Sequence, residues 1–476
     1  MPSRTRPGDA EQAVAAALAA TAAARRELEM LVRIPSISGS VDHADRVVES
    51  AEATAALLTA HGLERVRLEA VAGSHPYVIG EWLHAGPDAP TVLLYAHHDV
   101  QPPGAVDRWT SDPFEPVERS GRLYGRGTAD DKAGAVAHAH AVGSWLRSAG
   151  GLPCNVRVLV EGEEEIGSPH LERFLGAHAE ALAADVFVLA DAGQWDVGVP
   201  AITYSLRGLV ACDVTLTALD GPLHSGMTGG AVPDPVQGMA RLLASMVDDD
   251  GAIVISGFDD DVVAPSAAER ERIVALGGEA AFATAYGLRP GVAVIGDPAV
   301  ALYERLWRRP ALTVIGLDAH PIAGSSNQIV AGARARLSFR LAPGQDPERV
   351  MATVRAHVVA FTPWGLEPTV DALGGSPAWT TEPRGWAFEA CERALEHGFG
   401  AAPVAMGIGG SIPFVGPFAA TFGGIPALLI GPEDPFSRPH GDDESLHLGD
   451  FAKLIASEIH LLAELAAAHQ SKPVSR

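Results

Sequence analysis

The histidines and carboxylates of this chain that could do chemistry lie in a few short stretches, most of them directly after an apolar run. They are His97-His98-Asp99, Asp130-Asp131, Glu161-Gly-Glu-Glu-Glu165, Asp191 and His440. Imidazole nitrogens and carboxylate oxygens without a thiolate suit zinc, manganese or cobalt rather than a structural cysteine site. The number of ligands fits a two-metal cluster, which needs a bridging carboxylate, further ligands on each ion and one free base. The residue types therefore predict metal-assisted hydrolysis.

Each of these stretches also has a simpler interpretation. The four glutamates between positions 161 and 165 could form a solvated acidic turn, because runs of like charge usually mark exposed faces. In an extended chain His97 and Asp99 point the same way, so Asp99 could hold the second nitrogen of His97, although a His-x-Asp pair also occurs in ordinary turns. The same alternation places Glu163 on the face of Glu165, where it competes for a ligand role.

Other histidines and acids either lie outside this set or are alternatives within it. His138 and His140 are predicted to lie on a helix surface, because positions two apart do not share a helix face. Three acids that follow His440 are alternatives to it as a metal ligand: Asp442, Asp443 and Glu444. We favour His440 among the four.

Three apolar runs, at 91–96, 156–160 and 185–190, deliver the groups at 97–99, 161–165 and 191. Helical segments separate these runs, which predicts buried parallel strands. In open α/β sheets, ligands bind at the carboxyl ends of the strands. We therefore expect the three groups to meet at one edge of a sheet.

The pattern changes near residue 204, where alternating strands at 206–219 and 334–341 and helices at 236–247 and 348–361 indicate a second, α+β domain. The first pattern returns near residue 378. We predict an α/β catalytic domain with a mostly parallel central sheet flanked by helices, formed by residues 1–203 and 375–476, with an α+β domain at 204–374 inserted in it. Residues 251–310 could be a helical excursion or a long loop.

Composition narrows the class of protein and its partners. The 476 residues are 47% hydrophobic, which is enough for a sizeable core and for two or more domains. A net charge of -24 disfavours nucleic acid and anionic membranes as partners. The three cysteines are odd in number and scattered, which favours a reducing compartment and a cytoplasmic location. The sequence contains no apolar run of about 18 residues, so no membrane span is predicted.

Five motifs together resemble the di-zinc aminopeptidase-like dipeptidase family, which includes carnosinase-type dipeptidases, carboxypeptidase G-type enzymes and aminoacylases. The resemblance covers the chain from about residue 31 to about residue 451. The motifs are Tyr95-Ala-His-His-Asp-Val-Gln-Pro102, Tyr124-Gly-Arg-Gly-Thr-Ala-Asp-Asp-Lys132, Glu163-Glu-Glu-Ile-Gly-Ser168, His224-Ser-Gly226 and Gly409-Gly-Ser-Ile-Pro413.

The resemblance implies two divalent metal ions, zinc with manganese or cobalt as alternatives, and five ligands: His97, Asp130, Glu165, Asp191 and His440. His97 and Asp191 would bind one ion, Glu165 and His440 the other, and Asp130 both. Asp99 would orient His97, and Glu164 would be the general base that activates the attacking water and then protonates the leaving amine. The resemblance also implies a cis peptide bond between Asp130 and Asp131.

For the inserted domain, the resemblance implies a lid that also forms a homodimer. His224 would stabilise the oxyanion, in many relatives from the partner subunit. The other substrate-binding residues that it implies are Asn327, Arg340, Gly410 and Ser411. Gly407 departs from the pattern, because carnosinase-like members often carry an arginine there.

The resulting hypothesis is a dinuclear hydrolase that cleaves the amide bond of dipeptides with metal-activated water and a glutamate base. The nearest alternative is an aminoacylase or an N-carbamoyl amino acid amidohydrolase, so the expected substrate is a small peptide or an N-acyl amino acid. A non-catalytic metal-binding relative is the alternative from another class. Its signature would be the loss of the base or of a ligand, and neither is lost in this sequence.

Overall fold

A computed structural model describes residues 8–412 and 414–471 of the chain. The chain divides into two compact units. Unit 1 comprises Met1–Tyr204, Glu382–Met406 and Ile412–Arg476, and unit 2 comprises Ser205–Thr381 and Gly407–Ser411.

The described residues form α-helices and strands in the following order along the chain. The helices are α1 (Asp9–Ala19), α2 (Thr21–Val32), α3 (Ala44–Ala60), α4 (Lys132–Ala149), α5 (Leu171–Leu182), α6 (Ser225–Thr228), α7 (Pro235–Ala244), α8 (Ala267–Ala275), α9 (Glu279–Ala285), α10 (Leu302–Arg308), α11 (Pro347–Phe361), α12 (Trp386–Phe399), α13 (Val415–Thr421) and α14 (Leu448–Gln470). The strands are β1 (Glu64–Glu69), β2 (Tyr77–Trp82), β3 (Thr91–His97), β4 (Val117–Arg119), β5 (Arg122–Tyr124), β6 (Asn155–Glu161), β7 (Val186–Leu189), β8 (Ala201–Leu206), β9 (Gly208–Thr217), β10 (Leu223–His224), β11 (Ala311–Asp318), β12 (Gln328–Ile329), β13 (Gly332–Leu341), β14 (Glu367–Ser376), β15 (Trp379–Thr380), β16 (Val404–Ile408), β17 (Ala427–Leu429) and β18 (Ser445–His447).

Within unit 1, seven neighbouring strands of the central sheet follow the order β1-β2-β6-β3-β7-β17-β8. Its four middle strands, β6, β3, β7 and β17, run parallel, whereas β1, β2 and β8 pair antiparallel with their neighbours. The strands β2 and β7 are buried along their whole length, as expected for strands covered by helices on both faces. The predicted α/β fold class is confirmed.

Helix α4 lies at the centre of this unit, where it packs against α1, α2, α3, α14 and β3. Its alanine-rich sequence permits this close approach, and residues 132–145 are all buried. The surface prediction for His138 and His140 was therefore wrong, because a helix enclosed on every side has no solvent face. His138 Nδ1 lies 2.9 Å from Glu458 Oε2, and His140 Nε2 lies 2.6 Å from Glu27 Oε2.

Unit 2 contains a four-stranded antiparallel sheet in the order β11-β13-β9-β14. Alternate side chains of β9 and β13, such as Val214, Leu216 and Leu337, form an apolar core with α7 and α11. The stretch at 251–310, which the sequence left open, contains the three short helices α8, α9 and α10. No helix of either unit, within the described residues, is long and apolar enough to cross a membrane.

Candidate metal centre

The parallel strands of unit 1 bring the predicted groups to one edge of the sheet. His97 is the last residue of β3, and Asp191 lies two residues beyond the end of β7. Glu164 and Glu165 begin a single 3-10 turn, Glu164–Ile166, just after β6. Asp130 directly precedes Asp131, whose side chain caps α4 by accepting a hydrogen bond from Gly134 N at 3.2 Å.

Two groups of three potential ligands result, and they share Asp130. They are His97–Asp130–Asp191 and Asp130–Glu165–His440, with the ligand atoms of each group within 4.8 Å of one another. Asp130 Oδ1 lies 3.0 Å from His97 Nε2, and its Oδ2 lies 3.0 Å from His440 Nε2. The second group is completed by Glu165 Oε2 at 3.2 Å from His440 Nε2, and the first by Asp191 Oδ2 at 3.8 Å from His97 Nε2. The peptide bond between Asp130 and Asp131 is cis, as the resemblance implied.

The carboxylates of this centre repel one another. Burial raises the pKa of Glu164 well above its usual value, and Asp191, Glu165 and Asp130 add to the shift. Burial and the charge of Asp130 raise the pKa of Glu165 to about 7. Burial also raises the pKa of Asp130, but hydrogen bonds from His440 and His97 outweigh it and hold the pKa below its usual value. The donor set thus has an excess of negative charge that bound divalent cations would neutralise.

Asp99 is buried beside His97. Its carboxylate accepts hydrogen bonds from Ser38 Oγ at 2.6 Å, from Glu165 N at 3.1 Å and from Glu164 N at 3.2 Å. His97 Nδ1 lies 3.4 Å from Asp99 Oδ1 and 3.1 Å from the Asp99 carbonyl oxygen, so its Nε2 faces Asp130. Sequence reasoning found the pairing of residues 97 and 99 but not Ser38, which is distant in the chain.

The glutamates after β6 face different partners. Glu163 Oε1 accepts hydrogen bonds from the Tyr77 hydroxyl at 2.7 Å and from His170 N at 3.1 Å. Glu165 instead accepts from the backbone N and from Nε2 of Gln101, both at 3.0 Å. Within the described chain, no side chain or backbone group donates a hydrogen bond to the Glu164 carboxylate.

Two of the acids that rival His440 have other partners. Asp443 accepts hydrogen bonds from Thr110 N at 2.9 Å and from its hydroxyl at 2.6 Å. Glu444 pairs with Arg126 at 2.6 Å. Sequence reasoning missed Glu433, three residues after the apolar run that contains β17. Burial raises the pKa of its carboxyl well above the usual value, and the charges of Asp130 and Asp191 add to this shift.

The predicted substrate-binding residues lie in unit 2. The pairing of β10 with β12 brings His224 close to Asn327, whose carbonyl oxygen accepts a hydrogen bond from Ser225 N at 2.9 Å. His224 Nδ1 accepts one from Gly226 N at 3.1 Å, so the side chain also caps the short helix α6.

Arg340 donates to Ser411 Oγ at 3.4 Å, next to Gly410. A Cβ on Gly407 would lie 2.7 Å from the Trp307 ring, so the indole fills the space that a side chain at 407 would need. Pro413, the last residue of the glycine-rich motif, lies outside the described residues. The roles of these residues toward a substrate stay predictions.

Comparison with known proteins adds to this geometry. The model of peptidase family M20/M25/M40 matches residues 93–464. A cysteinylglycine-S-conjugate dipeptidase of Corynebacterium striatum is 32% identical over 440 residues, which cover 92% of this chain and 94% of that protein. A Cys-Gly metallodipeptidase of Schizosaccharomyces pombe is 29% identical, with 92% of this chain and 95% of that protein covered.

Among solved structures, human carnosine dipeptidase 1 has a similar fold. The TM-score is 0.83 at 25% sequence identity, and the match covers 96% of this chain and 99% of that chain.

Proposed function

We propose that this chain, which belongs to peptidase family M20/M25/M40, hydrolyses dipeptides with the help of two divalent metal ions. Glu164, which is not one of the proposed metal ligands, would be the general base. The observation that carries the proposal is the pair of three-residue ligand groups that share Asp130. A single-metal site would not need a carboxylate that presents one oxygen to each of two histidines, as Asp130 does to His97 and His440. Membership of this family makes the chain a peptidase. The two groups together contain all five predicted ligands.

The residues divide into ligands, base and orienting group. His97 and Asp191 would hold one cation, Glu165 and His440 the other, and Asp130 both. Bound cations would polarise the scissile carbonyl and make water easier to deprotonate. Glu164 takes one proton from the attacking water and returns it to the leaving amine nitrogen, so the base is regenerated as the amide bond breaks. Asp99 fixes the His97 ring, which keeps Nε2 directed at Asp130.

We assign substrate binding to residues of unit 2: His224, Asn327, Arg340, Gly410 and Ser411. His224 stabilises the oxyanion, and Arg340 binds the terminal carboxylate of the dipeptide, for which a guanidinium fork is suited. The contact of Arg340 with Ser411 supports this assignment, because both groups can donate to the same anion. We propose that unit 2 is the inserted lid.

We also propose a homodimer formed through unit 2. Strand β11 is at the edge of the four-stranded sheet, and it exposes Val314, Ile315 and Leu317 by 43%, 57% and 56%. An exposed apolar edge strand is a ready site for pairing with a second copy. The free, buried cysteines 154, 212 and 391 support a reducing, cytoplasmic location.

A substrate panel combined with metal analysis tests the function. Protein purified without chelator is expected to contain about two zinc ions per chain, with manganese or cobalt as alternatives. It is expected to hydrolyse dipeptides such as Cys-Gly and β-Ala-His, to stop after chelation and to recover when the metal is restored. Turnover of only N-acetyl or N-carbamoyl amino acids would overturn the dipeptidase assignment. Undiminished turnover in the metal-free protein would overturn the mechanism.

A further inference from the structure

An ion pair between Arg126 and Glu444 lies buried next to the metal centre. Arg126 Nη1 donates to Glu444 Oε2 at 2.6 Å, and the two side chains are 1% and 0% exposed. Arg126 Nη2 also donates to the carbonyl oxygens of Pro102 at 3.3 Å and Gly441 at 3.2 Å. Removing either partner of such a buried ion pair destabilises the protein, because the charge of the other partner is left buried and unpaired.

The carboxylate of Glu444 binds the segment that carries Asp130. It accepts hydrogen bonds from three backbone amides, Gly127 N at 3.1 Å, Ala129 N at 3.0 Å and Asp130 N at 3.2 Å. The Glu444 carbonyl oxygen also accepts one from Gly125 N at 3.0 Å. The pair thus ties the chain at 125–130 to the chain at 441–444.

The loop that carries His440 has a backbone that needs such support. Arg438, His440 and Asp443 have φ angles of 55°, 61° and 57°, a left-handed region that non-glycine residues rarely occupy. Such conformations persist only where the surroundings determine them. The bond from Arg126 to Gly441 falls directly after His440.

We propose that Arg126 and Glu444 are positioning residues that fix Asp130 and His440 relative to each other. The proposal rests on the proposed metal centre. It assigns Asp130 and His440 a support different from that of His97 and Glu165, both of which contact Asp99. His440 belongs to only one of the two ligand groups. The cation of that group should therefore depend on the ion pair more strongly than the other cation.

Metal titration of Arg126→Lys and Glu444→Gln tests this inference. Arg126→Lys keeps the positive charge but loses the forked bonds to residues 102 and 441. Zn²⁺ affinity is measured for both variants and for the wild type by competition with a chromophoric chelator. We expect one ion to bind 10- to 100-fold more weakly, the other to change less, and activity to return at saturating Zn²⁺.

Glu458→Gln is the matched control, because it breaks the buried His138–Glu458 pair in the same unit without changing a contact of the segments 125–130 and 441–444. Thermal unfolding identifies which variants are folded. A folded Arg126→Lys or Glu444→Gln variant that binds both ions with wild-type affinity would overturn the inference, as would an equal loss in Glu458→Gln. Neither result affects the proposed function, which fails only if the wild type itself lacks the metal or the dipeptidase activity.

Discussion

The Tyr77 hydroxyl donates a hydrogen bond to Glu163 Oε1 at 2.7 Å, and this contact separates Glu163 from Glu165. Strand alternation had placed the two on one face. The alternation does not apply, because β6 ends at Glu161 and the chain enters a 3-10 turn at Glu164. The two carboxylates consequently have different neighbours, which mutations can distinguish.

Replacing Glu164 with glutamine should remove the base and leave the ligands in place. We expect activity to fall by about 10²- to 10⁴-fold, because glutamine cannot accept the proton. Metal analysis should still find the wild-type metal content. A variant with full activity would contradict the assignment of Glu164 as the base.

Replacing Glu165 with glutamine should weaken the metal group that includes His440. The neutral amide loses the charge that lies 3.2 Å from His440 Nε2. We expect metal affinity at one site to fall by about 10-fold or more, measured by equilibrium dialysis. Glu163→Gln is the matched control and should bind metal like the wild type. If the two variants exchange these results, the roles within the glutamate run are reversed.

Glu27 should stabilise the fold in a pH-dependent way. Its Oε2 lies 3.0 Å from His61 Nε2 and 2.6 Å from His140 Nε2. Burial raises the pKa of Glu27, but hydrogen bonds from His140 and His61 outweigh it and lower the pKa from 4.5 to about 2. A folded-state pKa below the unfolded one means that ionised Glu27 stabilises the fold above pH 4.5, and that this contribution is lost as the pH falls toward 2.

The corresponding test is urea unfolding of Glu27→Gln at pH 7 and at pH 3. The full shift is equivalent to about 3 kcal/mol, and we expect about 2 kcal/mol at pH 7 because the side chain is partly exposed. The difference from the wild type should be smaller at pH 3. Glu64→Gln, which breaks the exposed pair with His84, should change the free energy of unfolding little at either pH. A difference that grows toward low pH would contradict the assignment.

The proposed homodimer can be tested at the edge strand β11. Ile315→Asp places a charge at a 57% exposed apolar position, and we expect a monomer in sedimentation experiments. Val274→Asp changes a similarly exposed residue, 61%, on α8 and should leave the oligomeric state as it is. A wild type that sediments as a monomer would refute the dimer, whatever the variants do.

Sequence patterns predicted the elements that carry the site because those signals are local. The buried runs before His97 and Asp191 are strands, and the parallel order of β3, β6 and β7 follows from the helical segments between them. What sequence reasoning missed comes from long-range packing. Ser38 and Tyr77 reach the centre through the folding of distant segments, and no spacing in the chain marks them. Arg126 stands in the same motif as Asp130, but its partner Glu444 lies 318 residues further along the chain, so the ion pair was missed.

The same limit explains the error at His138 and His140. Periodicity along one helix reports the faces of that helix, but it does not report how many neighbours cover it. An alanine-rich helix can be enclosed on all sides, and buried histidines are then tolerated because Glu458 and Glu27 lie beside them.

The side chain of His440 is 59% exposed, whereas that of His97 is 0% exposed. A reagent that acylates imidazoles from solvent would therefore meet His440 long before His97. His97, at the end of the buried strand β3, is enclosed, whereas His440 is open to solvent. Chelators, competing metals and modifying reagents from solvent should therefore meet His440 first, so inactivation should begin at the most exposed of the five predicted ligands rather than at Asp130.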